Sequence, residues 1–162
     1  MLDKFKDLEY EATRRHFARL LQSYSNPIFC LNLTKRHNQR EETVASDYRQ
    51  FVSETLINEL PPGFIRFNHW DMKAKKKDKS VPYELDMLQL AAEMVSETSF
   101  FALTPSQTSP QVQNLQIQRG IIRTNCIDSL DRTNQVQTLV GYHVALQQLN
   151  KLNLLKSTQA NL

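Results

Sequence analysis

The stretch Arg123-Thr124-Asn125-Cys126-Ile127-Asp128-Ser129-Leu130-Asp131-Arg132-Thr133-Asn134 decides how the rest of the chain is read. Before it, Leu115 to Thr124 has the apolar, partly β-branched content of a strand. After it, Val136, Leu139, Val140, Val144 and Leu149 recur at helical spacing. A loop that leaves a strand and opens a helix turns several main-chain N–H groups inward and adds the positive end of the helix dipole. Such a nest suits a dianion of phosphate size. Cys126 lies inside this loop, where positive potential favours a thiolate well below the free-thiol pKa of about 8.5. The thiolate is a nucleophile. Arg132 closes the loop and can grip an oxyanion through two parallel N–H bonds, a geometry lysine lacks. The Cys-x5-Arg spacing lets one tight loop bring both groups to one phosphate.

Cleavage of a phosphate ester also needs an acid for the departing oxygen. Asp131, beside Arg132, is the first candidate, and Asp128 the second. Asp71, in His69-Trp70-Asp71-Met72, is a third, delivered from a separate segment. Thr133 could hydrogen-bond the sulfur and help it leave in a second step. Asn125, Ile127, Ser129 and Leu130 complete the positions that would surround the anion. Plainer roles exist for several of these residues. Cys126 alone reads as a small buried hydrophobe. Asp131 and Arg132 could form a structural ion pair, Thr133 or Asn134 could cap the following helix, and Asp71 could cap a turn.

The bulk numbers fit one domain, or a large piece of one. The 162 residues are 40% hydrophobic and 23% charged, with net charge +3, which excludes disordered and fibrous classes. The positive bias tolerates an anionic partner such as a phosphate or lipid surface, and nothing points to nucleic acid. Two cysteines, Cys30 and Cys126, are too few to staple a secreted fold and imply a reducing compartment. No signal peptide and no apolar run of membrane-spanning length is visible, so any membrane contact is expected to be peripheral or made through another chain. The histidines are scattered and suggest no metal site, and no cofactor is expected.

Phe5 to Tyr24 has helical spacing and stops at Ser25-Asn26-Pro27. Ile28 to Leu33 reads as a buried strand containing a core Cys30, and Thr34 to Glu42 as an exposed loop. Val44 to Leu56 forms a second helix ending before Pro61-Pro62-Gly63, followed by a strand from Phe64 to Trp70. The basic run Lys73 to Lys79 reads as a solvated loop, with headgroup contact as the alternative. Glu84 to Val95 is a third helix with Leu85, Leu88, Ala91 and Val95 on one face, and Thr104 to Asn114 is a loop. Strands alternating with helices predict an α/β fold, a central sheet with flanking helices and the Cys-x5-Arg loop between a strand and a helix.

The segment Arg123 to Asn134 resembles the signature of Sac-type phosphoinositide phosphatases, R-T-N-C-x-D-C-L-D-R-T-N, with Ser129 where the family usually has a second cysteine. Arg15-His16-Phe17, Tyr24-Ser25-Asn26-Pro27 and Leu31-Asn32-Leu33-Thr34-Lys35 extend the resemblance, which runs from about Thr13 to Leu155. Trp70-Asp71-Met72 and the helix containing Ala145-Leu146-Gln147-Gln148-Leu149 are most similar to the phosphatidylinositol 3,5-bisphosphate 5-phosphatase branch of endosomes and vacuoles. The resemblance implies a membrane-lipid substrate, a phospho-cysteine intermediate and no metal in the chemical step. It also implies a complex with a lipid kinase and a scaffold protein. Myotubularin-type lipid phosphatases are similar in carrying aspartates at the places of Asp128 and Asp131. Sac domains have a large N-terminal subdomain ahead of the segment that opens this chain. The expectation is therefore a single partial catalytic domain over residues 1–162, with apolar surface exposed where the other half would lie. Two rivals stay open: a non-catalytic remnant that binds phosphoinositide or a protein, and a phosphatase acting on phosphoproteins.

Overall fold

The computed structural model describes residues 10–36, 38–105 and 112–155. Its centre is β1 (Ile28–Asn32), an apolar strand buried on both faces, as expected for the middle of a parallel sheet. It pairs in parallel with β2 (Ile65–His69) on one side and β5 (Ile121–Asn125) on the other. Ile28 stands opposite Ile65 and Ile121, and Asn32 opposite His69 and Asn125, so all three strands finish at one edge.

Side chains alternate across β1. Phe29 and Leu31 pack with Leu33, Trp70 and Met72 against α5 (Tyr83–Thr98) and α6 (Asp131–Lys151), through Met87, Leu90, Met94 and Val136. Ile28 and Cys30 face the other way, onto Phe17 of α1 (Glu11–Ser23) and onto Phe51, Val52 and Leu56. Helices therefore cover both faces of the sheet, the α/β layering expected. Burying side chains such as Leu31 and Phe51 contributes about 1.5–3 kcal/mol each. Gly120 sets the entry to β5. A Cβ there would lie 2.1 Å from the Pro27 carbonyl oxygen, the same oxygen that accepts the Ile121 N–H at 3.0 Å. Only glycine lets the backbones approach so closely.

Several boundaries differ from the sequence expectation. The segment 34–42 is not an exposed loop: Thr34 and Glu41 are buried, and α2 (Gln39–Arg49) begins inside it, with the Asn38 side chain accepting from the Arg40 and Glu41 amides. The helix continues through a π segment (Gln50–Leu56) into a short α3 (Ile57–Glu59). The lysine run is mostly helical as α4 (Met72–Lys77), because the Asp71 carboxylate caps the Lys73 and Ala74 amides. The strand expected over 115–124 is two strands. β4 (Val112–Gln116) pairs antiparallel with β3 (Ala102–Pro105) in a separate small sheet, where a loop was expected. Between β4 and β5 the chain turns around the end of α5, with the Arg119 and Gly120 amides donating to Thr98 O at 2.8 and 3.0 Å.

The buried face of α5 also differs. It holds Met87, Leu90 and Met94 with Ala91 and Val95, and leaves Leu85 and Leu88 exposed. The helix carries two overlapping apolar stripes, and packing against β1 and α6 selects the one containing the methionines. Leu88, Leu139 and exposed Tyr142 line an apolar groove between α5 and α6 of about 510 Å³. Phe5 and Leu8, read as the start of the first helix, lie outside the described residues.

Candidate active site

In open α/β sheets, ligands sit beyond the carboxyl ends of the strands, and here that edge gathers the singled-out residues. Asn125 ends β5 and Asn32 ends β1. The Asn125 amide donates to Asn32 Oδ1 at 3.0 Å, and Leu33 N–H donates to Asn125 O at 2.8 Å. Arg123 braces the same asparagine from below, donating to Asn125 Oδ1 at 3.2 Å and to the Tyr48 hydroxyl at 2.7 Å. Its guanidinium lies 4.9 Å from the Tyr48 ring centroid and 5.8 Å from that of Phe17, at cation–π distance from both. The Asn125 side chain is thus committed to holding the loop from beneath.

The loop joins β5 to α6. Cys126 is 6% exposed and shares an apolar cluster with Leu33, Trp70 and Val136. The polar side of its sulfur is fully engaged. The thiol donates to Asp128 Oδ1 at 3.1 Å, and the Thr133 hydroxyl donates to Sγ at 3.3 Å. Thr133 therefore serves the sulfur and does not cap the helix, whose first flanking residue, Leu130, supplies no side-chain cap. Asp128 Oδ1 also accepts the Leu130 N–H at 3.1 Å. The bond from Cys126, then that from Leu130, holds the Asp128 carboxyl below the usual range. Ser129 adopts φ 54, a left-handed conformation uncommon outside glycine. Ile127 and Leu130 are exposed at the loop rim.

Arg132 follows the loop on α6, and its carboxylate partner is Glu41, not the adjacent Asp131. Nη1 donates to Glu41 Oε2 at 2.8 Å and to Leu33 O at 3.0 Å. The same Oε2 accepts the Lys35 N–H at 2.9 Å, while Lys35 Nζ lies 3.2 Å from Oε1. Burial pushes the Glu41 carboxyl up, but the bonds from Arg132 and Lys35 outweigh it and hold the group below its usual value. For Arg132, burial works against the charge, yet the Glu41 bond and the nearby Cys126 and Asp128 raise its pKa further. Sequence reasoning missed Glu41. The signal was Asn38-x-x-Glu41, a helix-start pattern in which the acidic residue usually folds back on the cap; here it reaches Arg132 instead.

Asp71 takes the plainer of its two sequence readings. Oδ1 accepts the Lys73 and Ala74 amides, each at 3.0 Å, and Oδ2 accepts the Arg36 amide at 2.9 Å. Both oxygens are spent on backbone. Asp131 stands exposed at the first residue of α6.

The family model described as the SacI homology domain matches residues 2–77. A polyphosphoinositide phosphatase of Schizosaccharomyces pombe is 35% identical over 96% of the chain, a span that includes the Cys126 loop. The chain is similar to the SacI homology family. Two Arabidopsis thaliana relatives agree: phosphoinositide phosphatase SAC3, 29% identical over 92% of the chain, and SAC2, 28% identical over 97%. The chain spans 18%, 24% and 26% of the lengths of those three relatives. Among the described residues, no helix is long and apolar enough to cross a membrane.

Proposed function

We propose that this chain is the catalytic-loop part of a phosphoinositide phosphatase, a single partial catalytic domain over residues 1–162, and that it removes the 5-phosphate of phosphatidylinositol 3,5-bisphosphate. The observation that carries the reading is the sulfur of Cys126 held between an acceptor, Asp128, and a donor, Thr133, in a loop that leaves a parallel strand and opens a helix. The thiol proton passes to Asp128. The sulfur attacks phosphorus in line with the ring oxygen, the P–O bond breaks, and Asp131 protonates the departing inositol oxygen. Asp128 does not suit the second role, since its contacts favour the ionised form. Water then attacks the phospho-cysteine, Asp131 takes its proton, and the S–P bond breaks while Thr133 hydrogen-bonds the leaving sulfur. Arg132 keeps Nη1 on Glu41 and Leu33 and offers Nε and Nη2 to the phosphoryl oxygens. Loop amides at Ile127 and Ser129 supply the remaining donors.

The names of the relatives support a lipid substrate. The reading places the protein on the cytoplasmic face of endosomal or vacuolar membranes, beside a lipid kinase and a scaffold protein. Phosphate release from a panel of phosphoinositides tests it, with Cys126→Ser as control. Release lost in the variant supports the enzyme. Lipid binding without release favours a non-catalytic remnant, and release from phosphopeptides alone favours a phosphoprotein phosphatase.

A further inference from the structure

The lysines of α4 divide into two pairs. Lys75 Nζ lies 2.9 Å from Asp86 Oδ2, and Lys76 Nζ sits 4.9 Å from the Tyr83 ring centroid, so this pair ties α4 to α5. Lys73 and Lys77, one helical turn apart, instead line a cleft of about 330 Å³ with Lys35 and Asn38. Like charges at this spacing repel along a helix. Among the described residues, neither lysine has a carboxylate partner. The cleft's one carboxylate, Asp71, is already held by three backbone amides. The volume falls at the lower end of small-molecule sites, which run from roughly 300 to 1,000 Å³. The walls thus carry the ammonium groups of Lys73 and Lys77, and that of Lys35, which Glu41 Oε1 already holds at 3.2 Å, around a space that a compact anion would fill.

The cleft adjoins the reaction site. Lys35, on its wall, donates its N–H to Glu41 Oε2 at 2.9 Å, the oxygen that holds Arg132 at 2.8 Å. We propose that this cleft binds the second phosphate monoester of the substrate through Lys35, Lys73 and Lys77, and so selects inositol rings carrying two phosphates over rings carrying one. The inference rests on the phosphatase reading of the Cys126 loop. The lysines supply charge without fixed geometry. Anionic headgroups of the surrounding bilayer offer the same chemistry to them.

Water-soluble short-chain phosphoinositides separate the two sources. The ratio of kcat/KM for a bisphosphate over a monophosphate is measured for the wild type, for Lys73→Ala/Lys77→Ala, and for Lys79→Ala as a charge control outside the cleft. The double variant should lower that ratio about tenfold or more, through KM, as expected for losing charge-assisted hydrogen bonds, and the control should leave it in place. An unchanged ratio overturns the proposal. So does a loss seen only on vesicles containing anionic lipid, which would assign the lysines to the bilayer. Should the wild type release no phosphate at all, the phosphatase reading has failed. The cleft is then judged by calorimetry of inositol bisphosphate and monophosphate headgroups binding to Cys126→Ser. Preference for the bisphosphate that disappears with the lysines sustains the proposal, and absence of preference removes it.

Discussion

Replacing Glu41 by alanine should unfold the chain more readily than any surface substitution, because it strands a guanidinium. The Glu41 side chain is 6% exposed and that of Arg132 19%. Without the carboxylate, Arg132 Nη1 keeps Leu33 O, while the Lys35 amide loses its acceptor. Breaking a buried ion pair by removing one partner costs about 3–5 kcal/mol. The arm to Lys35 Nζ is 34% exposed, so its share is screened and adds under about 1 kcal/mol. A loss near 3–4 kcal/mol is expected, which lowers Tm by roughly 6–15 °C in a domain of this size. Glu41→Gln keeps one carbonyl for Arg132 and Lys35 N–H and should lose about half as much. Thermal and urea melts followed by far-UV circular dichroism read both values. A double-mutant cycle with Arg132→Met should give a coupling of at least about 1 kcal/mol. If Glu41→Ala melts within about 0.5 kcal/mol of wild type, the ion pair is not holding Arg132 and the reasoning is wrong.

Thr133→Val removes the hydroxyl on the sulfur and should slow the second chemical step about tenfold, the worth of one such hydrogen bond; rapid-quench kinetics should show phospho-enzyme accumulating, and a steady state with no build-up argues against the role. Gly120→Ala pushes a Cβ against the Pro27 carbonyl and should cost about 3 kcal/mol or more in urea melts, above ordinary overpacking; a neutral result would mean that β1 and β5 enter the sheet differently. Glu41 and Asp71 both titrate below their usual ranges when folded, so each contributes stability above its unfolded pKa of about 4 and loses it as pH falls through the folded value. Urea stability should therefore drop steeply below about pH 4, less steeply in Glu41→Gln and Asp71→Asn, and identical slopes for all three chains would remove these two groups from the account.

The sheet and its edge were legible in the sequence because β1 carries an unbroken apolar run and the Cys-x5-Arg spacing marks where a strand becomes a helix. Thr34 and Glu41 were not, since a polar run reads as solvated until its partner is known, and Arg132 lies 91 positions away. The lysine run looked like a loop because charge density says nothing about the cap that Asp71 provides two residues earlier. The two strands on either side of residues 117–120 merged into one in the sequence reading, because Thr98, which turns the chain there, sits at the end of a different element. In α5, two apolar stripes were available, and only packing against β1 and α6 could choose between them. Within the site, Cys126, Asp128 and Thr133 come together through contacts local to the loop and the first turn of α6, whereas the anchoring of Arg132 depends on α2.

The covalent intermediate is the most direct test of the account. Wild-type chain mixed with phosphatidylinositol 3,5-bisphosphate, quenched in acid within milliseconds and digested, should yield one phosphorylated peptide in the mass spectrum, carrying the phosphoryl group on Cys126. A phosphoryl group on any other residue, or phosphate release persisting in Cys126→Ser, would contradict it.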